Sequence, residues 1–214
     1  MKSIIFNNNE FVLFETGILF WPKWSVYIVS DLHLEKSSFY AKHGIMLPPY
    51  DSIETLKKLE KSLNRKKANK LILLGDVFHD SEGYQRLNDK AKRVFNKITE
   101  KYNTVFVFGN HDKELDIPNV KKCSTHLIDS ISFSHEPSKS SLHQVCGHFH
   151  PKFQLRISGR NISKNCFIVT EKRICLPNFG VFSGGLNVKS EIFDNFLDRK
   201  RDYYLIDEKN VYKI

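Results

Sequence analysis

The sequence predicts a layered α/β domain whose second half is rich in β structure. In the first part of the chain, short runs of β-branched and aromatic residues alternate with segments that carry apolar residues at helical spacing. After Val145 the helical periodicity stops. Short strand-like runs, separated by Gly, Asn and charged residues, take its place.

Nine strands are expected from these apolar runs. Five lie in the first part of the chain, at residues 10–14, 26–29, 71–74, 104–108 and 131–133. The other four lie in the second part, at residues 167–170, 173–176, 203–206 and 211–214.

Two helices are expected between the strands of the first part. Residues 52–64 have Ile53, Leu56, Leu59 and Leu63 at helical spacing. Asp51 and Glu54 stand at the start of this helix in the positions of a capping box. Residues 84–102 are predicted as one continuous helix, whose apolar stripe consists of Leu87, Ala91, Val94, Phe95 and Ile98.

Length and composition predict one domain over residues 1–214 and exclude a disordered chain. The chain is 41% hydrophobic and 13% aromatic, whereas disordered chains are poor in such residues. The 4 cysteines form no Cys-x-x-Cys pair, so we expect free thiols in a reducing compartment. Neither an export signal nor an apolar run of the roughly 20 residues that span a membrane is present. We therefore expect a cytoplasmic protein.

Polar side chains follow five apolar runs, at the point where each run ends. The segments are Ser30-Asp31-Leu32-His33, Gly75-Asp76-Val77-Phe78-His79, Gly109-Asn110-His111-Asp112, Ser134-His135 and Gly147-His148-Phe149-His150. Each segment alone is weak evidence, since Asp, Asn and Gly also favour turns. Because the carboxyl ends of strands in an open α/β sheet converge on one crevice, we expect these side chains to meet there.

These residue types point to a site for divalent metal ions. Imidazoles mixed with carboxylates and an amide oxygen suit Mn²⁺, Fe²⁺ or Zn²⁺, and the lack of cysteine argues against a structural zinc site. The candidates are too many for one open tetrahedral site and suit two ions that share Asp76. The seven candidate ligands are Asp31, His33, Asp76, Asn110, His135, His148 and His150.

Two such ions hold a phosphate and activate a water for in-line attack. This chemistry also requires an acid that protonates the leaving oxygen. We expect His111 to be that acid, with Asp112 hydrogen-bonded to its ring.

The formal charge of +9 favours polyanionic partners such as nucleic acid or phosphorylated substrates. A charge run opposite an apolar stripe is usually a solvated face, so we expect the basic residues of the first helix and its exit to face solvent. They are Lys57, Lys58, Lys61, Arg65, Lys66, Lys67 and Lys70. Lys36 and Lys42 adjoin the first metal segment, and they are candidate substrate contacts.

The full set of segments resembles the calcineurin-like binuclear metallophosphoesterases. A narrower similarity, over nearly the whole chain, is to the ligase-associated branch often called PdeM. Further matching segments carry it, namely Glu35-Lys36, Leu47-Pro48, Leu176-Pro177-Asn178-Phe179-Gly180 and Ser183-Gly184-Gly185. The resemblance implies a two-layered β sandwich flanked by helices, with two metal ions at the sheet edge.

The resemblance also implies roles for single residues. One ion would be held by Asp31, His33, Asp76 and His150, and the other by Asp76, Asn110, His135 and His148. His111 would contact the scissile phosphate or the leaving group, with Asp112 behind it. His79 matches a further histidine of the branch and is a candidate substrate contact. Ser134 departs from the glycine common in the wider family, and we expect it to tighten the loop before His135.

Members of this branch are similar to manganese-dependent DNA nucleases, and their companions are a DNA ligase and a helicase-like repair protein. The resemblance therefore implies a phosphodiesterase that cleaves DNA, expected to be a single-strand endonuclease in DNA repair. One alternative is a phosphoesterase for a small nucleotide-like or other phosphorylated substrate, because the fold does not determine the substrate. Another is a non-catalytic scaffold. The presence of His111 and all seven candidate ligands disfavours the scaffold.

Overall fold

Two β-sheets form the centre of the protein, seen in a computed structural model that describes residues 1–118, 120–138, 142–157 and 159–214. Within these residues the first sheet has seven strands, in the same order in space as in the sequence. They are β1 (Lys2–Phe6), β2 (Asn9–Leu13), β3 (Leu19–Trp21), β4 (Val26–Val29), β5 (Lys70–Leu74), β6 (Asn103–Val107) and β7 (Lys121–Cys123). Strands β1 to β4 pair antiparallel, whereas β4 to β7 pair parallel. The parallel half brings the carboxyl ends of β4, β5 and β6 to one edge.

The second sheet is built from the later part of the described chain. Its strands are β8 (Thr125–Ile128), β9 (Ile131–Ser134), β10 (His143–Cys146), β11 (Lys152–Ile157), β12 (Arg160–Val169), β13 (Arg173–Cys175), β14 (Asp202–Ile206) and β15 (Val211–Lys213). The order in space is β15, β14, β12, β13, β10, β9, β8, and β11 pairs with β12 outside this path. The central pairs β9 with β10 and β10 with β13 are parallel.

The main core lies between the two sheets. Phe11, Trp21 and Ile28 of the first sheet and Phe133 and Phe167 of the second belong to one buried cluster. The other face of the first sheet packs against helices, and the other face of the second sheet packs against the segment that contains Val188 and Phe193. The predicted α/β class is therefore confirmed, with its two-layered β sandwich flanked by helices and its β-rich second half.

Four helices accompany the sheets in the described residues: α1 (Lys36–Lys42), α2 (Asp51–Leu63), α3 (Gly83–Arg86) and α4 (Asp89–Lys101). Short 3-10 turns occupy Pro22–Trp24 and Glu191–Asn195. The apolar stripes of α2 and α4 are buried against the first sheet, as their spacing predicts. None of the helices that the structure describes combines the length and the apolar character needed to cross a bilayer.

The prediction of one helix over residues 84–102 is wrong. The segment splits because Leu87 has an extended backbone (φ −52°, ψ 128°). Asn88 then caps a new helix, its side chain accepting a hydrogen bond from Ala91 N at 2.9 Å. Asn at this position favours a helix start. The apolar stripe continues across the break, so periodicity alone did not reveal it.

The predicted capping box at the start of α2 is also wrong, because Asp51 bonds elsewhere. Its carboxylate is buried and accepts hydrogen bonds from the backbone N of Ser37 at 3.0 Å and from the Ser37 hydroxyl at 2.5 Å. The residue that precedes α2 is Tyr50, and its side chain makes no cap. Asp51 therefore attaches α2 to α1, a helix that the apolar spacing of the sequence does not predict.

Lys58 differs from the solvated lysines expected on α2. Its Nζ donates to the carbonyl of Phe179 at 2.9 Å and lies 4.0 Å from the centre of the Phe179 ring. Burial lowers the pKa of Lys58 to about 8. Lys57 and Lys61 are exposed, as expected. Lys58 thus connects α2 to the loop that follows β13.

We expect Asn88→Ala to destabilise the protein by about 1 kcal/mol, because α4 would lose its N-terminal cap. Asn88→Ser keeps an acceptor oxygen and serves as the matched control, with stability close to wild type. Urea unfolding of the three proteins measures the difference. Equal losses in both variants would show that the cap does not determine this helix boundary.

Candidate metal centre

The candidate site lies where loops after β4, β5, β6, β9 and β10 meet. The loops after β4 and β5 continue side by side beyond their strands. Asp31 N donates to Gly75 O at 3.1 Å, and His33 N donates to Asp76 O at 2.9 Å. Between the loops of the second sheet, Gly147 N donates to His135 O at 2.9 Å. Backbone bonds therefore hold both pairs of loops in register, and the predicted segments come together.

Five of the seven candidate ligands have a left-handed backbone. They are Asp31 (φ 58°), His33 (φ 46°), Asp76 (φ 46°), His148 (φ 72°) and His150 (φ 48°). This conformation costs roughly 1 kcal/mol or more for a residue with a Cβ. In the Asp-x-His and His-x-His segments every second residue adopts it. The Asp-x-His pair lies in one group of candidate ligands, whereas the His-x-His pair divides between two. Such strain concentrates at functional sites.

The first group consists of Asp31, His33 and His150. The Nε2 atoms of the two histidines lie 3.2 Å apart, and His150 Nε2 lies 3.1 Å from Asp31 Oδ1. Asp31 is fully buried. Although burial alone would raise the pKa of Asp31, its contact with His150 keeps that pKa below the ordinary value. Burial lowers the pKa of His33 to about 4, so its ring is neutral at pH 7.

The second group consists of Asp76, His135 and His148. His135 Nε2 lies 3.4 Å from Asp76 Oδ2 and 3.2 Å from His148 Nδ1. Burial opposes protonation of His135, but Asp76 and the charge of Asp31 prevail and raise its pKa to about 9. Burial and the nearby His135 lower the pKa of His148. His135 Nδ1 lies 3.8 Å from Asp31 Oδ1, so the two groups adjoin.

Both groups have the chemistry of a cation site. In each, two imidazole nitrogens and a carboxylate oxygen lie within 4.8 Å of one another. Two imidazoles whose nitrogens face each other at 3.2 Å need a shared proton or cation between them. Asp31 Oδ1 and His33 Nδ1 are also buried without a hydrogen bond of acceptable geometry. Nitrogen and carboxylate donors of this kind suit a borderline divalent ion.

Asn110, the seventh candidate ligand, lies at the exposed edge of the second group. Its Nδ2 donates to Glu136 Oε1 at 2.5 Å, and no described residue hydrogen-bonds its Oδ1. Asp76 belongs to the second group, and its Oδ1 also accepts from the backbone N of His111 at 3.2 Å. Its role as a ligand shared by two ions stays a prediction.

The expected hydrogen bond between Asp112 and the His111 ring is wrong. Asp112 is fully buried, and its two oxygens accept from Gly109 N and Val77 N, both at 2.6 Å. Burial, reinforced by the charge of Asp76, raises the pKa of Asp112 to about 6 despite these bonds. Asp112 therefore ties the loop after β6 to the loop after β5 through the backbone, which sequence spacing did not reveal.

The His111 ring is half exposed, and its Nε2 lies 3.9 Å from Asp76 Oδ2. It stacks on His79, with ring centres 5.4 Å apart and an angle of 16° between the planes. The rings of Phe39 and Tyr40 pack on His79 at 4.7 and 5.4 Å. Burial, with the charges of His111 and Lys36, lowers the pKa of His79 to about 4. A neutral His79 thus supports the ring of His111.

The two lysines predicted as substrate contacts already have partners. Lys36 Nζ donates to Phe182 O at 2.9 Å. Lys42 Nζ pairs with Glu82 at 2.9 Å, and both of these side chains are exposed. An exposed pair contributes little stability and separates readily.

Sequence reasoning missed the residues that hold the ligand loops. Ser30 Oγ lies within hydrogen-bonding distance of Asp31 Oδ2 and of Leu74 O. The loop after β13 contacts the same place, where Phe179 N donates to Ser30 O and Gly180 N to Asp31 O. In the sequence this loop is the Leu-Pro-Asn-Phe-Gly segment, in which the spacing of residues gives no sign of its contact with the ligand loop.

Comparison with known proteins identifies the family. The model of the family described as calcineurin-like phosphoesterase matches residues 25–208. The chain belongs to the calcineurin-like phosphoesterase family. No curated protein sequence matches the phosphoesterase.

The first of two solved structures shares this fold. A crystal structure of Pseudomonas putida nuclease MPE has a TM-score of 0.77 and 24% identity, and it covers 100% of this chain and 99% of that chain. A protein of unknown function from Aquifex aeolicus has a TM-score of 0.41 and 19% identity, and it covers 58% of this chain and 78% of that chain.

The resemblance to this family is thus confirmed, and the phosphoesterase is a metal-dependent hydrolase. The family and the two Asp/His groups together indicate two divalent ions. The donors of the first group come from two loops and those of the second group from three, so the folded arrangement of the sheet edge creates the site.

We expect Gly75→Ala to disturb this site more than Gly44→Ala does. Both glycines have positive φ (72° and 77°), so both variants carry similar backbone strain. A Cβ at Gly75 would overlap the His135 ring, whereas one at Gly44 would meet nothing within 4 Å. Overpacking of this kind costs about 1 to 3 kcal/mol. Urea unfolding and Mn²⁺ titration compare the variants, and equal effects would contradict the close approach of Gly75 to His135.

Proposed function

We propose that the phosphoesterase is a manganese-dependent nuclease that cleaves single-stranded DNA at internal phosphodiester bonds in DNA repair. The observation that carries the proposal is the pair of Asp/His groups beside the half-exposed ring of His111. The fold similarity to a nuclease over the full length and the formal charge of +9 support it.

In this proposal Asp31, His33 and His150 hold one ion, with Asp76 shared. The second ion is held by Asp76, His135, His148 and Asn110. The ions, when bound, neutralise and polarise the phosphate and activate a water. The chain presents these side chains on loops held by backbone hydrogen bonds, which limits the reorganisation needed during reaction.

His111 is the proposed acid. Its backbone N is held by Asp76 Oδ1 at 3.2 Å, and its ring stacks on His79. These contacts direct the ring while leaving it about half exposed, where it reaches a bound phosphodiester. A protonated Nε2 then delivers its proton to the leaving oxygen. His79 contributes by orienting this ring.

The substrate assignment rests on charge and on the branch resemblance. Lys42 is exposed, and it can contact a phosphate of the substrate when it separates from Glu82. Lys36 is held beside the carbonyl of Phe182, so it contacts only a substrate phosphate that lies near this carbonyl. The PdeM resemblance adds a DNA ligase and a helicase-like protein as proposed partners. It also supports the proposed role in DNA repair.

Purified protein with Mn²⁺ should convert circular single-stranded DNA into linear fragments, because only internal cleavage opens a circle. Duplex circles, a cyclic nucleotide and a phosphoprotein are the comparison substrates. Denaturing gels measure cleavage of the circles, chromatography of the nucleotide monophosphate measures hydrolysis of the cyclic nucleotide, and phosphate release measures hydrolysis of the phosphoprotein. Intact circles together with strong hydrolysis of the cyclic nucleotide or of a phosphoprotein would reject the DNA assignment.

We expect His111→Ala to lower turnover by about 10² to 10⁴-fold while metal content stays intact, as for loss of a general acid. Asp76→Ala should lose metal and activity together. His126→Ala, on β8, is the histidine control and should change neither. Elemental analysis measures the metal content, and cleavage of a single-stranded oligonucleotide, whose leaving alkoxide needs a proton, measures turnover. Equal metal loss in the His111 and Asp76 variants would make His111 a ligand.

A further inference from the structure

Glu136 touches two of the residues assigned to the second metal ion. Its Oε1 accepts a hydrogen bond from Asn110 Nδ2 at 2.5 Å and lies 3.9 Å from His148 Nε2. Glu136 directly follows His135, yet it belongs to neither Asp/His group. A single carboxylate therefore contacts two neighbouring candidate ligands from outside the site.

The Asn110 contact has a direct chemical consequence. An amide side chain offers a donor nitrogen and an acceptor oxygen, and only the oxygen binds a divalent cation. An ionised carboxylate accepts hydrogen bonds and donates none. Glu136 therefore selects the orientation in which Asn110 turns Nδ2 outward. Oδ1, which no described residue hydrogen-bonds, remains available to a cation.

The turn that carries Glu136 is held from the buried side. Ser134 Oγ donates to Glu136 O at 2.9 Å. Gln144, which is 1% exposed, hydrogen-bonds Ser134 Oγ through Nε2 and approaches Glu136 O at 3.3 Å. Gln144 Oε1 also accepts from Ser138 N at 3.0 Å. The backbone of Glu136 is thus fixed even though its side chain is exposed.

This arrangement gives two partners to Ser134, the position where the resemblance implies a glycine. A glycine at position 134 has no hydroxyl to hold the Glu136 carbonyl or to bond Gln144. Ser134 therefore holds the backbone of Glu136 in addition to shaping the loop before His135.

We propose that Glu136 is a positioning residue for the second metal ion, which it serves by orienting the amide of Asn110. The proposal rests on the ligand assignment made under the proposed function. Carboxylates that hydrogen-bond metal ligands in other proteins raise metal affinity about 10 to 100-fold. An exposed Glu that merely paired with Asn110 at the surface would contribute little.

Calorimetric titration of the metal-free protein with Mn²⁺ tests the proposal through binding alone. We expect Glu136→Gln to weaken one of two Mn²⁺ equivalents about tenfold and to leave the other unchanged. Glu100→Gln, at an exposed position on α4, makes the same change of charge away from the site and should alter neither. Unchanged affinities in Glu136→Gln, or equal weakening of both equivalents, would overturn the proposal.

A second variant separates orientation from simple loss of charge. Asn110→Asp has two equivalent oxygens and needs no orienting partner. In that background Glu136→Gln should no longer weaken Mn²⁺ binding about tenfold, and only the small effect of losing one exposed negative charge should remain. Tenfold weakening in both backgrounds would assign the effect to charge and reject positioning. If the wild type binds fewer than two Mn²⁺, the proposed ligand assignment fails first, and Glu136 then has no second ion to position.

Discussion

The structure depends on the burial of one carboxylate, that of Asp31. A buried negative charge is costly unless hydrogen bonds or positive charges surround it. Asp31 obtains them from both sheets. Ser30 contacts one oxygen from its own loop, the backbone N of His148 donates to the same oxygen at 3.1 Å, and His150 approaches the other. Compensating this charge therefore joins the carboxyl ends of β4 and β10, and the site forms where the two sheets meet.

Close packing of backbone around these charges requires glycine at three loops. A Cβ at Gly75 would overlap His135, one at Gly109 would overlap Asp76, and one at Gly147 would overlap Ser30. The strain of the left-handed ligand residues adds to this constraint. Both costs are offset by the large apolar core between the sheets, which lies outside the site. The free energy of burying this core thus compensates the backbone strain and close packing at the edge that carries the site.

Residues outside the two Asp/His groups hold the ligand loops in place. Asp112, Ser30 and Glu136 each bind a backbone group or a side chain beside a candidate ligand. Lys58 reaches the same region from α2 through the carbonyl of Phe179. Such supporting contacts restrict the orientation of the residues that meet the metal. They come from four different segments of the chain.

The sequence by itself determined the class of fold, the family and the residues that approach one another, because ligand types and strand periodicity are local properties. Only the tertiary structure decided which partner each polar group has. Asp51 bonds Ser37 and not its own helix, Asp112 bonds backbone amides and not His111, and Lys58 is covered by Phe179. These contacts join segments far apart in the chain or depend on a turn's three-dimensional path, and spacing along the sequence does not encode either.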